Sequence, residues 1–157
     1  SLCSHLLERL FFIGGGMIEL DYAGDTYPKE TWKSLEKDKN SVLIDCRSSA
    51  EWQFVGIPNL ESIGKKTYLI EWQTYPSMSV NENFINEITD SGINKDQTIV
   101  LLCRSGGRSK SAAEFLTSYG FKNCYNCIYG FEGSHDHTGH RGTNNGWKHS
   151  MLPWKQS

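Results

Sequence analysis

No apolar run in this sequence approaches the roughly 18 residues that a membrane-spanning helix needs. A surplus of positive charge is missing too. Sixteen Lys and Arg stand against eighteen Asp and Glu, for a formal net charge of −2. That balance argues against nucleic acid, and against a polybasic membrane surface, as a partner. The five cysteines (Cys3, Cys46, Cys103, Cys124, Cys127) are odd in number and lack scaffold-like spacing. Reduced thiols in a cytoplasm fit them better than a secreted disulfide framework. The start of the chain has no basic segment and no A-x-A-like cleavage site, so a secretory signal is not expected. Instead, Leu10-Phe11-Phe12-Ile13 is followed by Gly14-Gly15-Gly16 and then Met17. Residues 1–16 are read as a leader or vector-derived segment, with a native amphipathic arm as the alternative. Residues 17–157 are read as one ordinary domain, large enough to bury a core.

What the sequence does contain is concentrated at Cys103-Arg104-Ser105-Gly106-Gly107-Arg108-Ser109. The preceding Thr98-Ile99-Val100-Leu101-Leu102 is a continuous apolar, β-branched run, the pattern of a strand buried on both faces of a parallel sheet. The following Lys110–Gly120 carries Ala112, Phe115, Leu116 and Tyr119 at helical spacing, with Gly120 as its stop. A cysteine thus sits at the carboxyl end of a buried strand, where open α/β sheets bind ligands. Gly106 and Gly107 are expected to turn the backbone with positive φ and aim successive N–H groups inward. The helix N-terminus adds unpaired donors and partial positive charge, and Arg104 and Arg108 add two cations. A free thiol has a pKa of about 8.5, and surroundings of this kind bring such groups to roughly 3.5–7.5. The loop therefore supplies a nucleophile and an oxyanion cradle. An inert strand-end cysteine explains the residues poorly, because two Gly, two Arg and a Cys within 103–108 have no packing rationale.

This loop resembles the active-site loop of the rhodanese sulfurtransferases. Val42-Leu43-Ile44-Asp45-Cys46-Arg47, with Glu51-Trp52 and Gly56-Ile57-Pro58, is similar to that family's signature near the domain start. Gly130-Phe131-Glu132-Gly133 and the stretch to Trp154 resemble a single-domain bacterial subgroup. The resemblance implies an α/β rhodanese-like fold with a mainly parallel sheet of about five strands and helices on both faces. It also implies a structural role for Asp45 and Arg47.

The remaining elements follow in order. Pro28 suits the first turn of a helix carrying Trp32 and Leu35, and Val42–Ile44 is the first buried strand. Asp45 and Arg47 are read as a buried ion pair rather than as substrate contacts. Ser48-x-x-Glu51 has capping-box spacing, which makes Glu51 a cap and not an acid catalyst. Gly56–Lys66 is expected to be loop, Tyr68–Trp72 a strand, and Tyr75–Ser79 irregular. Asn81 is expected to cap a helix burying Phe84, Ile85 and Ile88 and ended by Gly92, and Asn123–Ile128 to be the last strand. Short connections between alternating strands and helices give a parallel α/β sheet.

Cys124-x-x-Cys127 has redox spacing, but on a strand the two side chains point to opposite faces, so small buried hydrophobes are the better reading. His135, His137 and His140 have no accompanying cysteine and are read as a solvated loop, with no metal. The segment 130–157 is irregular and rich in Gly, His and Trp. Unstructured stretches of this length are usually functional or disordered. For its tail, Gly142–Lys148 with Leu152-Pro153-Trp154, one expectation is folding back over the sheet near the Cys103 loop, the other merely covering a hydrophobic face.

Three functions follow. In the first, a sulfurtransferase, Cys103 attacks the outer sulfur of an anionic donor such as thiosulfate, and a thiophilic acceptor takes the sulfur from the persulfide. The cradle residues Ser105, Gly106, Gly107 and Ser109, with Arg108, hold the departing anion, and Arg104 shapes the field. No metal or organic cofactor is needed. The second is a cysteine phosphatase or arsenate reductase, whose loop resembles His-Cys-x5-Arg. Here Leu102 precedes the cysteine, the arginine is five positions on, and Ser109 is sixth, so the loop is one residue short. The third is a persulfide carrier or interaction module serving a protein acceptor.

Overall fold

The structure is a computed structural model that describes the backbone strands 10–13 and 16–19 and the whole of residues 21–157. The leader expectation for residues 1–16 lies for the most part outside the described residues. Within them, β1 (Leu10–Ile13) pairs antiparallel with β2 (Gly16–Glu19).

The chain then runs through β3 (Gly24–Thr26), α1 (Pro28–Lys37), β4 (Val42–Asp45) and α2 (Ser49–Val55). Next come β5 (Ile57–Pro58), a 3-10 turn at Glu61–Ile63, β6 (Thr67–Leu69) and the small hairpin β7 (Gln73–Thr74) and β8 (Ser79–Val80). The elements α3 (Phe84–Asp90), β9 (Thr98–Leu102), α4 (Gly107–Ser118), β10 (Asn123–Cys127) and β11 (Trp154–Lys155) complete it. The central sheet has the order β3-β10-β9-β4-β6, and every pair in it is parallel. The expected five-stranded parallel α/β sheet is therefore present.

Alternation along the strands sorts the core into two layers. Ile44, Ile99, Leu101 and Cys124 face α3 and α4, packing with Phe84, Ile88, Ala112, Ala113 and Leu116. Leu43, Val100, Leu102 and Cys127 face the opposite side with Leu35 of α1, Leu60, Phe131 and Trp147. Cys124 and Cys127 thus lie in different layers, and burial pushes both thiols up to about 12.

Several local expectations are corrected. The edge strand β3 lies before Tyr27, where no strand was read; three residues, two of them polar, carry no usable periodicity. Gly56–Lys66 is not all loop, because β5 pairs there with β11, so Asn123–Cys127 is not the last strand. The strand expected at Tyr68–Trp72 is Thr67–Leu69, and Tyr75–Ser79 belongs to the β7–β8 hairpin. The cap of α3 is Asn83, and the Asn81 side chain accepts from Asn83 N instead. α4 begins at Gly107, and Tyr119 is 56% exposed while Ala113 takes the buried place. Tyr119 is the C-cap of α4, and its ring packs beside Phe115 at 4.8 Å instead of entering the core.

Candidate active site

Cys103 follows the last residue of β9, the sheet's central strand, and is 1% exposed. The loop curls back on its sulfur. Gly106 N–H donates to Cys103 Sγ at 3.1 Å, and Ser109 Oγ lies 3.1 Å from the same atom. The turn depends on Gly106, whose φ is +111°, a conformation that L side chains rarely adopt. Gly107 is the first residue of α4 and has no positive φ, so a single glycine makes the turn rather than the expected two. Among the described residues, the N–H groups of Arg104, Ser105, Gly107, Arg108 and Ser109 have no hydrogen-bond partner. A loop running into a helix N-terminus leaves such donors free for an anion.

Ser109 is fixed from behind. Asn126 of β10 donates through Nδ2 to Gly106 O (3.2 Å) and to Asp25 Oδ1 (3.3 Å). Its Oδ1 therefore faces Ser109, whose hydroxyl donates to it at 2.6 Å. With that proton committed, Ser109 meets the Cys103 thiol as an acceptor. Ionisation of the sulfur calls for the hydroxyl proton to swing toward it. The Asn126–Asp25 pair joins β10 to β3, a connection that sequence spacing gave no sign of.

The two loop arginines have different surroundings. Arg108 Nη1 and Nη2 bind Glu51 Oε1 and Oε2 at 2.6 and 2.9 Å. Glu51 is also the expected cap, accepting from Ser48 N and Ser48 Oγ. Burial raises its pKa, but the hydrogen bonds and charge of Arg108, with Ser48, outweigh that and hold the carboxyl below its ordinary value. The same contacts raise Arg108, through the Glu51 hydrogen bond first. The charge of Arg108, expected to help hold the departing anion, is half-buried against a carboxylate 57 residues away, a contact that the sequence reading did not include. Arg104 is exposed, and its side chain has no partner among the described residues.

Asp45 and Arg47 form the expected ion pair, with both side chains 0% exposed. Arg47 Nε meets Asp45 Oδ1 at 2.9 Å and Nη2 meets Oδ2 at 2.6 Å, and Nη2 also donates to Gly56 O. The guanidinium lies 4.2 Å from the Phe131 ring centroid. Phe131 in turn braces the loop: its N–H donates to Cys103 O at 2.8 Å, and Glu132 and Gly133 N–H both reach Arg104 O. The approach is so close that a Cβ on Gly130 would collide with Cys103 O. Residues 131–133 thus bind the backbone of the Cys103 loop, and the tail after Gly142 folds back onto them through Lys148 N–H on Phe131 O while also covering a face. Trp147 is fully buried, its N–H donates to Gly130 O, and its ring packs against Trp32 at 6.1 Å. Of the three histidines, His135 and His137 are exposed, and His140 Nδ1 lies 2.9 Å from Thr138 Oγ1.

Known proteins are similar to this chain. The uncharacterized RP600 homolog of Rickettsia rickettsii is 39% identical over 126 residues, covering 80% of this chain and 92% of its own length. The crystal structure of Rv0390 from M. tuberculosis has a TM-score of 0.78 at 42% identity, covering 87% of this chain and 99% of that one. Thiosulfate sulfurtransferase GlpE of Actinobacillus succinogenes is 26% identical over 106 residues, 68% of this chain and 78% of its own. The model of the rhodanese-like domain matches residues 27–137, which take in the Cys103 loop, its Asn126 support and the Phe131 brace. The chain therefore belongs to the rhodanese-like domain family.

Proposed function

We propose that the protein is a sulfurtransferase in which Cys103 carries the sulfur. The observation that supports this best is the loop itself: Sγ accepts from Gly106 N, and five further loop N–H groups have no partner among the described residues. The thiolate attacks the outer sulfur of an anionic donor such as thiosulfate. The new S–S bond forms as the old one breaks, and its electron pair leaves with sulfite. Cys–S–S⁻ remains, an anion that the free donors can hold. A thiophilic acceptor then attacks the outer sulfur, and the thiolate returns. This is covalent, two-step catalysis with ping-pong kinetics. In this reading Arg104 steers and holds the donor, while Arg108 fixes the start of α4 against α2 through Glu51. Asp45 and Arg47 support the loop through Phe131. The reaction needs no metal or organic cofactor, and a reducing cytoplasm suits the free thiols Cys46, Cys103, Cys124 and Cys127. The GlpE relative, named as a thiosulfate sulfurtransferase, favours thiosulfate as donor.

Incubation with thiosulfate and no acceptor should leave one extra sulfur on Cys103, seen by peptide mass spectrometry without reductant. Cyanide should remove it. Sulfur mapping to Cys124 or Cys127, or undiminished labelling of Cys103→Ala, would refute the mechanism.

A further inference from the structure

The Gly- and His-rich stretch after Gly133 has no part in the scheme so far, yet it is built with care. Asp136 Oδ1 accepts from Thr138 N, Thr138 Oγ1 and His140 N, and its Oδ2 accepts from Thr143 Oγ1. Asp136 N donates back to His140 O. These bonds, with the Thr138 hydroxyl foremost, hold the Asp136 carboxyl well below the usual carboxylate range. At the base of the loop Asn145 Oδ1 accepts from Ser134 N, and a Cβ on Gly133 would collide with Asn145 O as one on Gly146 would with Gly133 N. What this closed loop presents is Arg141. Its Nη1 donates to Gly133 O at 2.7 Å, and the rest of its guanidinium fork has no partner among the described residues.

Arg141 lines the same cleft as Arg104 and Arg108, a space of about 630 Å³. Ligand sites of several hundred Å³ hold organic molecules, and a five-atom inorganic anion would leave most of this one empty. Val55 and Met78 supply an apolar wall. The acids in the cleft are Glu51 and Glu132. Glu51 is neutralised by Arg108, and Glu132 also attracts Lys148. Arg104 and Arg141 therefore outnumber the one acid left to oppose them.

We infer that Arg141 is a specificity-determining residue that holds the carboxylate of a small organic thiol, the sulfur acceptor, while Val55 and Met78 pack on its carbon chain. This rests on the sulfurtransferase reading of Cys103. A thiol that reaches the persulfide with its carboxylate on Arg141 attacks the outer sulfur, becomes a persulfide itself, and frees the Cys103 thiolate. The atoms balance without any oxidant.

The test pairs mercaptosuccinate with thioglycerol, a neutral thiol of similar length, as acceptors from thiosulfate-loaded protein. The wild type should prefer mercaptosuccinate in kcat/KM, mainly through KM. Arg141→Gln should cut that preference about tenfold, the size of one lost charge-assisted contact, and Arg141→Lys should restore part of it. An unchanged preference in Arg141→Gln overturns the inference while leaving Cys103 chemistry intact. If thiosulfate loads no sulfur, the sulfurtransferase reading falls, and binding of (methylthio)succinate, which cannot accept sulfur, decides the anion site by NMR titration. Binding weakened about tenfold in Arg141→Gln sustains the site, and equal binding ends it.

Discussion

Two neighbouring parallel strands of this protein are followed by the same three residues, Cys-Arg-Ser, and the two turns do opposite things. After β4 come Cys46-Arg47-Ser48, and after β9 come Cys103-Arg104-Ser105. In the first turn Ser48 caps α2 at once, and Asp45 turns Arg47 inward to full burial. Burial there, with the neighbouring Cys103 and Asp45, pushes the Cys46 thiol far above its ordinary pKa. In the second turn Leu102 stands where Asp45 stands, so nothing draws Arg104 inward. Gly106 delays the helix by enough backbone to curl around the sulfur. The chemistry of a cysteine at a strand end is thus set by the residue before it and by the glycine after it, not by the tripeptide.

The sharpest way to break this comparison is to exchange serine for each cysteine. Cys103→Ser should lower thiosulfate-dependent sulfur transfer by on the order of a thousandfold or more, because a hydroxyl is not an effective sulfur acceptor. Cys46→Ser should leave turnover of the folded protein within a few-fold. Similar losses from both would mean that the two turns are not chemically distinct.

Next in size is the arginine pair. Arg47→Met strands Asp45 in the core and should cost about 3–5 kcal/mol of stability in urea denaturation. Arg104→Ala is a surface change and should stay within about 0.5 kcal/mol, while raising KM for thiosulfate. A stability loss from Arg104→Ala as large as that of Arg47→Met would overturn the division of roles.

The turn residues should separate activity from stability. Gly106→Ala has room for its methyl, the nearest atom being Tyr129 N at 3.5 Å, but the backbone at φ +111° opposes it. It should cost about 1–3 kcal/mol and slow loading of Cys103. Ser48→Ala removes a cap and should cost about 1 kcal/mol with loading intact. Unchanged loading kinetics in Gly106→Ala would show that the curl is dispensable.

The smallest effect tests the contact that joins the two turns. Glu51 has a lowered pKa in the folded protein, so its stabilisation is present above the ordinary carboxyl value of about 4.3 and is lost as pH falls through the lowered one. The stability difference between wild type and Glu51→Gln should therefore shrink as pH is taken below that point. A difference that stays constant through acid would mean that Glu51 acts by shape alone.

Much of this was legible locally. The β9 run, the Ser48–Glu51 box, the Asp45–Arg47 pair and the special loop after Leu102 all lie within a few residues of their own signals. What escaped reading acts at a distance. The Glu51–Arg108 bridge spans 57 residues, and Asn126 reaches Asp25 across 101. The first requires knowing that β4 lies beside β9 and the second that β10 lies between β3 and β9, an order that alternation in a single strand does not encode. Arg141 was passed over because its neighbours are the Gly, Asn and His of an irregular stretch. Asp136 organises that stretch through hydrogen bonds that have no periodicity.

The collision that awaits a Cβ at Gly130 has a consequence in time. Chains emerge from the ribosome N-terminus first, and domains fold as units during or after synthesis. Cys103 and the segment that shapes its carbonyl are made in that order, with Trp147 later still. Until residues 130–147 have been translated and docked, the nascent chain carries Cys103 without the Phe131 N–H that anchors its carbonyl. Translation itself therefore sets when the Cys103 turn is completed.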